Sequence, residues 1–154
     1  MPAIEGSIDI AAPRQAVWDL MCDVPRYPEF GNLSDETHMI SEGEFGEGSV
    51  YSESGKVAGM KYESEWTVTR FEPISKQVHF GVESSMHLEL TWTLTEIDAE
   101  NTRATQVVDV TMMPSFRPLG VLIEKLFVIR KMTGELATLR EDIKRIAEAE
   151  SGTN

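Results

Sequence analysis

The residue types that most often do metal or nucleophilic chemistry are scarce in this sequence, and their spacing does not gather them. The histidines are His38, His79 and His87, and Cys22 is the only cysteine. No His-X-His, His-Glu-X-X-His or Cys-X-X-Cys spacing occurs, so we expect no metal site, no disulfide and no cofactor. The spacing also predicts no Ser/His/Asp or Cys/His nucleophile.

Alternation along the strands predicts that two of these histidines face solvent. In the segment 86–97 the apolar side chains occupy even positions, which leaves His87 on the opposite face. His79 alternates with Val78 and Phe80 in the same way. His38 alternates less cleanly, so both a surface position and a place in a pocket stay open for it.

One segment, 60–71, carries polar groups on an otherwise apolar face. Glu63 and Glu65 fall on its outer face, in water, so they are not an acid/base pair tuned by burial. Arg70 falls on the inner face, where an unpaired charge is very costly. It is either a rim residue, solvated or paired with a carboxylate, or a pocket group. The inner face consists of Met60, Tyr62, Ser64, Trp66, Val68 and Arg70.

The elements that position these residues follow from the periodicity. Residues 3–10 alternate as a first strand, and Pro13 begins a helix that must end before Pro25. Pro25 to Pro28 should break regular structure, and 29–32 is at most one short turn. The next segments are closely spaced and rich in β-branched and aromatic residues, which indicates antiparallel hairpins. These strands lie near 34–42, 48–57, 60–71, 76–84, 86–97 and 103–113.

The last segment, 119–149, has the period of an amphipathic helix. Such a helix can bury its apolar stripe only against one face of the sheet. Long twisted strands curl, so a straight helix laid across them leaves a gap. We therefore predict an α+β fold with an internal pocket beneath the short helices. The helix residues predicted to be buried are Leu122, Leu126, Ile129, Leu136 and Ile143.

Length and charge narrow the classes of partner. The 154 residues suit one domain, 1–150, followed by a frayed tail, 151–154. The net charge of -12 disfavours nucleic acid and anionic membrane surfaces, and no apolar run is long enough for membrane insertion. No secretion signal is visible, so we expect a cytoplasmic protein. The acidity suits either a mesophile or a halophile, and the halophile reading predicts that added salt raises stability.

The opening IDIAAPRQAVWDLMCDVPRYPEFG carries a resemblance to a known family. A strand, Ala-Pro, Val-Trp, an Asp and a Tyr-Pro pair in this order resemble the START/pollen-allergen (SRPBCC) superfamily. The chain over 3–149 is similar to its polyketide cyclase/dehydrase and lipid-transport group. The resemblance implies a helix-grip fold, in which a seven-stranded curved antiparallel sheet surrounds a long C-terminal helix and two short helices follow the first strand.

The resemblance also implies a ligand cavity, which we expect to open between the glycine-rich hairpin 43–48 and the Phe30 turn. Aromatase/cyclase members place a pocket arginine in the strand 60–71, and Arg70 is the closest match, which makes it the candidate catalytic residue. In the strand 103–113 the face bearing Gln106 and Val108 resembles the cyclases. The full set of expected ligand-binding residues is Phe30, Tyr62, Ser64, Trp66, Arg70, Leu88, Trp92, Gln106, Val108, Leu122 and Leu126.

Two functions from different classes remain open at this point. The first is a carrier or sensor that encloses a polyketide, isoprenoid or acyl lipid, since the inward residues are mostly apolar. The second is an aromatase/cyclase or dehydratase that positions a poly-β-ketone with Arg70, Tyr62, Ser64 and Gln106. A protein-interaction module would need an exposed apolar patch that the pattern does not show. A monomer and a homodimer are both compatible with the sequence.

Overall fold

The computed structural model describes residues 3–57, 59–83, 86–112 and 118–152. A strand and two short helical segments are followed by six strands and one long helix, which is the predicted element order. In chain order these are β1 (Ala3–Ile10), α1 (Arg14–Met21), a 3-10 helix (Val24–Glu29), β2 (Ser34–Met39), β3 (Val50–Val57), β4 (Met60–Glu72), β5 (Lys76–Glu83), β6 (Met86–Asp98), β7 (Asn101–Met112) and α2 (Pro118–Ser151).

The seven strands form one antiparallel sheet in the order β1-β7-β6-β5-β4-β3-β2. Consecutive strands from β2 to β7 are hairpin neighbours, and β1 closes the far edge by pairing with β7. The sheet curves around α2, so the predicted helix-grip architecture is confirmed. Its concave face and α2 enclose the interior that matters for function.

The segment between β1 and β2 begins as predicted and then departs from the prediction. The carbonyl of Pro13 accepts the first hydrogen bonds of α1, from the backbone N–H groups of Ala16 and Val17. The prediction that Pro25 to Pro28 breaks regular structure is wrong, because a 3-10 helix spans Val24–Glu29. Pro25 is compatible with the first turn of this helix, where its missing N–H has no partner to lose, whereas Pro28 lies inside the helix.

The apolar stripe of α2 is rotated from the predicted one. Leu136 and Ile143 are buried as expected, and Ile129 is half-buried. Leu126 is 61% exposed, so its predicted burial is wrong. Val128 holds the inward position in that turn. Leu126, two residues earlier, lies about 200° around the helix from Val128 and therefore points to nearly the opposite side. The side chain of Leu122 lies outside the described part of the structure.

The core continues from this stripe into both ends of the sheet. At one end Val128, Met132 and Leu136 pack against Val108 and Val110 of β7. At the other end Trp18 of α1 packs with Leu94 and Ile143, among others. Within the described residues, neither α2 nor any shorter helix has an apolar stretch long enough to cross a membrane.

Candidate functional site

A cavity of about 260 Å³ lies between the concave face of the sheet and α2. Most of its wall is apolar, and polar side chains enter it at a few places. Eight of the residues expected to bind a ligand line it, although contact with a ligand stays a prediction. These are Phe30, Tyr62, Ser64, Trp66, Leu88, Trp92, Gln106 and Val108.

Arg70 does not reach this cavity. A β-bulge interrupts the pairing of β4 with β5 between Val68 and Arg70, and the extra residue reverses the alternation. The side chain of Arg70 is therefore 56% exposed, and its Nη2 lies 3.0 Å from Oε1 of Glu72. Phe71 takes the inward position instead, 5.1 Å from the ring of Trp18. The expected pocket role of Arg70 is wrong, and its rim alternative describes the structure.

Leu126 is also absent from the cavity wall, because it faces away from the sheet. Val128 and Met132 line the cavity from α2 in its place. Leu122 lies among the α2 residues whose side chains are outside the described part.

The cavity does not open at the hairpin 43–48, although an opening was expected there. The ring of Phe45 lies 5.8 Å from that of Phe71 and 6.0 Å from that of His79, and it covers this side. Among the described lining residues, Met60 and Lys61 are exposed, so the cavity meets solvent at the start of β4.

Trp66 forms the floor of the cavity because β5 has a glycine beneath it. A Cβ added at Gly81 would lie 2.8 Å from the indole ring, so only glycine leaves room for it. The indole stacks on Tyr51 with ring centroids 6.4 Å apart, and its Nε1–H donates to Oγ of Ser64 at 3.0 Å. The aromatic floor is thereby held in one orientation.

A chain of hydrogen bonds runs from Tyr51 into the wall. Its hydroxyl donates to Nδ1 of His79 at 2.8 Å, and Nε2–H of His79 donates to Oε1 of Gln77 at 2.9 Å. Nε2–H of Gln77 then donates to Sγ of Cys22 at 3.2 Å. The Tyr51 proton is used within this chain, so the hydroxyl of this cavity-lining residue has only acceptor capacity left.

The groups of this chain are uncharged at neutral pH. His79 is 1% exposed, and burial lowers its pKa to about 4. Burial raises the pKa of the Cys22 thiol to about 12 and that of the Tyr51 phenol well above its usual value. Cys22 is therefore a poor nucleophile. The expected surface position of His79 is wrong, since Val78 and Phe80 face outward on β5 instead.

Gln106 brings an unsatisfied donor to the opposite part of the wall. Its Oε1 accepts a hydrogen bond from Nη1 of Arg140 at 2.8 Å, whereas its buried Nε2 has no partner among the described residues. Arg140 reaches it across β1, where a Cβ added at Gly6 would lie 2.3 Å from Cζ of Arg140. Arg140 thus fixes which way the amide points. An unpaired buried donor is rare in a folded protein.

Glu53 is a carboxyl group that the sequence did not single out. Glu53 lies two residues after Tyr51 and two before Gly55, so it shares their face of β3, the concave one, and lines the cavity. Oγ of Ser34 donates to its Oε2 at 2.6 Å, and the hydroxyl of Tyr62 donates to its Oε1 at 2.9 Å. Burial raises the pKa of Glu53, and these hydrogen bonds oppose the shift.

Three solved structures share this fold at low sequence identity. The ZhuI aromatase/cyclase from Streptomyces sp. R1128 aligns with a TM-score of 0.78 at 18% identity, over 97% of this chain and 94% of its own. A START superfamily protein from Mycobacterium smegmatis gives 0.65 at 12%, over 88% and 96%. A norcoclaurine synthase mutant from Thalictrum flavum, in complex with a transition-state analogue, gives 0.71 at 13%, over 97% and 95%.

Identities this low establish the fold and leave activity open. Among curated protein sequences, none matches this chain. A family match is nevertheless found along almost the whole sequence, over residues 1–148. It agrees with the curved sheet, the long C-terminal helix and the cavity between them. The chain belongs to the polyketide cyclase / dehydrase and lipid transport family.

Proposed function

We propose that residues 1–150 form one ligand-binding domain that encloses a hydrophobic small molecule, such as a polyketide, an isoprenoid or an acyl lipid, as a carrier or sensor. The observation that carries this proposal is the apolar cavity with the unpaired Nε2 of Gln106 in its wall. A buried donor without a partner costs about 1–3 kcal/mol. A ligand with an acceptor oxygen would recover that free energy.

The apolar wall would supply most of the affinity. Removing apolar surface from water contributes about 25 cal/mol per Å². The ligand contacts proposed here come from the sheet and from the Phe30 turn, with α2 closing the other side. They are Phe30, Tyr62, Ser64, Trp66, Leu88, Trp92, Gln106 and Val108.

A cavity-filling pair of variants tests the proposal. Leu88→Trp places an indole in the cavity, whereas Thr91→Trp adds one on the opposite face of the same strand. We expect the fluorescent lipophile N-phenyl-1-naphthylamine to bind the wild-type protein and Thr91→Trp, and to bind Leu88→Trp at least tenfold more weakly. Native mass spectrometry of freshly purified protein should show a bound lipophile. Equal binding to both variants would place the probe elsewhere and contradict the proposal.

A second candidate is a cyclase or dehydratase that works in the same cavity. It is supported by the family and by polar groups that could orient a ketone, namely Tyr62, Ser64 and Gln106. Since Arg70 lies outside the cavity, the mechanism would rest on positioning rather than on a guanidinium. Incubation with a synthetic poly-β-ketone, followed by chromatography, should then yield a cyclised product faster than buffer does. Loss of rate without loss of binding in Gln106→Leu would identify a catalytic role.

A further inference from the structure

Resting on the proposed function, we infer that Glu53 forms a second polar site in the cavity, which accepts a hydrogen bond from a hydroxyl or amine group of the ligand and rejects a carboxylate. This site is separate from the unpaired amide of Gln106. The Glu53 site specifies which functional group one end of the ligand carries, which the family resemblance leaves open.

The acceptor capacity of Glu53 is only partly used within the described part of the chain. Three donors reach it: the hydroxyls of Ser34 and Tyr62, and the indole N–H of Trp66, which it shares with Ser64. A carboxylate offers about four lone-pair sites, so further acceptor capacity remains. The Tyr62 hydroxyl also lies 3.0 Å from the carbonyl oxygen of Leu33, and its single proton is shared between the two acceptors.

No ion pair in the described part of the chain neutralises Glu53. The ion pairs of the structure lie at other positions, and Arg70 is held by Glu72 outside the cavity. Lys61 lines the cavity where it meets solvent, together with Glu83, and it is not within ion-pairing distance of Glu53. A donor on the ligand would therefore stabilise the carboxylate, and an anionic group would be repelled by it.

Glu53 and Gln106 serve different ends of the cavity. Glu53 pairs with Ser64 near the end of the sheet where β5 stops at Glu83 and β6 begins at Met86. Gln106 pairs with Trp92, six residues farther along β6. Six residues at about 3.3 Å each separate the row of paired residues that contains Glu53 from the row that contains Gln106. The two rows are therefore about 20 Å apart along the strands. One end of the cavity offers a donor and the other an acceptor.

This polarity favours an elongated neutral ligand over a fatty acid. A carbonyl oxygen suits the amide N–H of Gln106, and a hydroxyl or amine suits Glu53. A free carboxylate would meet no cation at Glu53 among the described residues, and at the other end the Arg140 guanidinium already donates to the oxygen of Gln106. The ligand class that fits is a hydroxylated or aminated ketone with an apolar body.

Displacement of N-phenyl-1-naphthylamine by decan-1-ol, by its methyl ether 1-methoxydecane and by decanoic acid tests this assignment at pH 8. The single oxygen of the alcohol or of the ether can lie at only one end of the cavity. Either ligand can accept a hydrogen bond from Gln106, and only the alcohol can donate one to Glu53. We expect the alcohol to displace the probe at about tenfold lower concentration than the ether. Decanoic acid should be weaker than the alcohol by a similar factor.

Two variants separate the charge of Glu53 from its acceptor role. Glu53→Leu should remove the preference for the alcohol. Glu53→Gln keeps an acceptor oxygen, so it should keep that preference and bind decanoic acid several-fold better than the wild-type protein does. If Glu53→Leu does not fold, the response of Glu53→Gln to decanoic acid decides alone. Glu65→Gln, on the exposed outer face of β4, is the matched control and should leave every ratio unchanged.

The outcomes distinguish the two proposals. Equal displacement by alcohol and ether in the wild-type protein, or an alcohol preference that survives Glu53→Leu, overturns the assignment of Glu53 while the cavity stands. An unchanged affinity of Glu53→Gln for decanoic acid also overturns it. Failure of the probe to enter the cavity, judged with Leu88→Trp, overturns the proposed function and this assignment with it.

Discussion

Nε2 of His79 lies 2.9 Å from the side-chain oxygen Oε1 of Gln77, and this contact fixes the tautomer of a buried histidine because an amide oxygen can only accept. Nε2 must therefore carry the proton, and Nδ1 accepts a hydrogen bond from the Tyr51 hydroxyl at 2.8 Å. Protonation of His79 would place a second donor against the Tyr51 hydroxyl and a charge where burial has removed water. The neutral ring is therefore part of the folded state.

The stability of the protein should fall in acid because of His79. Its pKa is lowered to about 4 when folded, against about 6.5 when unfolded, so the unfolded chain binds more protons between these values. The stabilisation is complete above pH 6.5 and is lost as the pH falls toward 4, about 3 kcal/mol in all. Urea unfolding between pH 7 and pH 4.5 should show this slope, and His79→Gln should flatten it.

The raised pKa of Glu53 acts in the opposite sense, because its folded form binds more protons than its unfolded form. Glu53 is present in the wild-type protein and in His79→Gln, so the difference between their slopes of stability against pH isolates the contribution of His79. Parallel slopes would show that His79 is not the titrating group.

Two glycine substitutions should change stability in opposite directions. Gly81→Ala puts a methyl group 2.8 Å from the ring of Trp66, which must move and lose its stacking on Tyr51. We expect a loss of about 1–3 kcal/mol and weaker probe binding. Gly134→Ala, in α2 with nothing within 4 Å of the added Cβ, should gain about 0.5–1 kcal/mol. Thermal unfolding of both variants checks the pair, and a stable Gly81→Ala would refute the close packing.

The rotated stripe of α2 predicts unequal costs for two similar truncations. Leu136→Ala removes a buried side chain and should cost about 2–5 kcal/mol. Leu126→Ala removes one that is 61% exposed and should cost less than about 1 kcal/mol. Chemical denaturation measures both. A larger cost at Leu126 than at Leu136 would restore the helix face expected from the sequence.

Gln106 should matter more for ligand affinity than for stability. Gln106→Leu removes a buried donor that lacks a partner among the described residues, and it also removes the acceptor of Arg140, so the two effects oppose each other and stability should change by less than about 1 kcal/mol. The same change should weaken displacement of the naphthylamine probe by decan-2-one about fivefold, because the ketone loses its donor. Arg140→Met frees the amide to rotate and should give a smaller loss of affinity. A destabilised Gln106→Leu with full ketone affinity would contradict this account.

Alternation in the sequence predicted the parts of the cavity wall that are apolar and regular. On β6 the inward face carries Trp92 as expected, because apolar residues occupy every second position of that strand. On β7 alternation alone was ambiguous, and the resemblance to the cyclases supplied Gln106 and Val108, which do face inward. The pattern inverts on β5, where Gln77 and His79 face inward and Val78 and Phe80 face outward. The inward groups satisfy each other with hydrogen bonds, so they carry no hydrophobic signature.

Two other site features had no visible signal. Tyr51 and Glu53 alternate with serines, and a carboxylate beside serines reads as a solvent-facing segment. The position of Arg70 depends on a bulge after Val68, and a single extra residue in a ladder leaves no compositional trace. Both errors lie at the polar positions of the cavity and its rim, where local pattern and tertiary hydrogen bonding disagree.

Because Arg140 passes over Gly6, a residue outside the cavity wall can determine which ligand the cavity binds. A substitution at Gly6 alters no lining residue, yet even one methyl group there would displace the guanidinium that holds the Gln106 amide. The freed amide could turn its oxygen inward and accept a hydrogen bond where it now donates one. A lineage could therefore shift from ketones toward alcohols at this end by a mutation in its first strand. Specificity in such a protein would evolve without any change in the residues that touch the ligand.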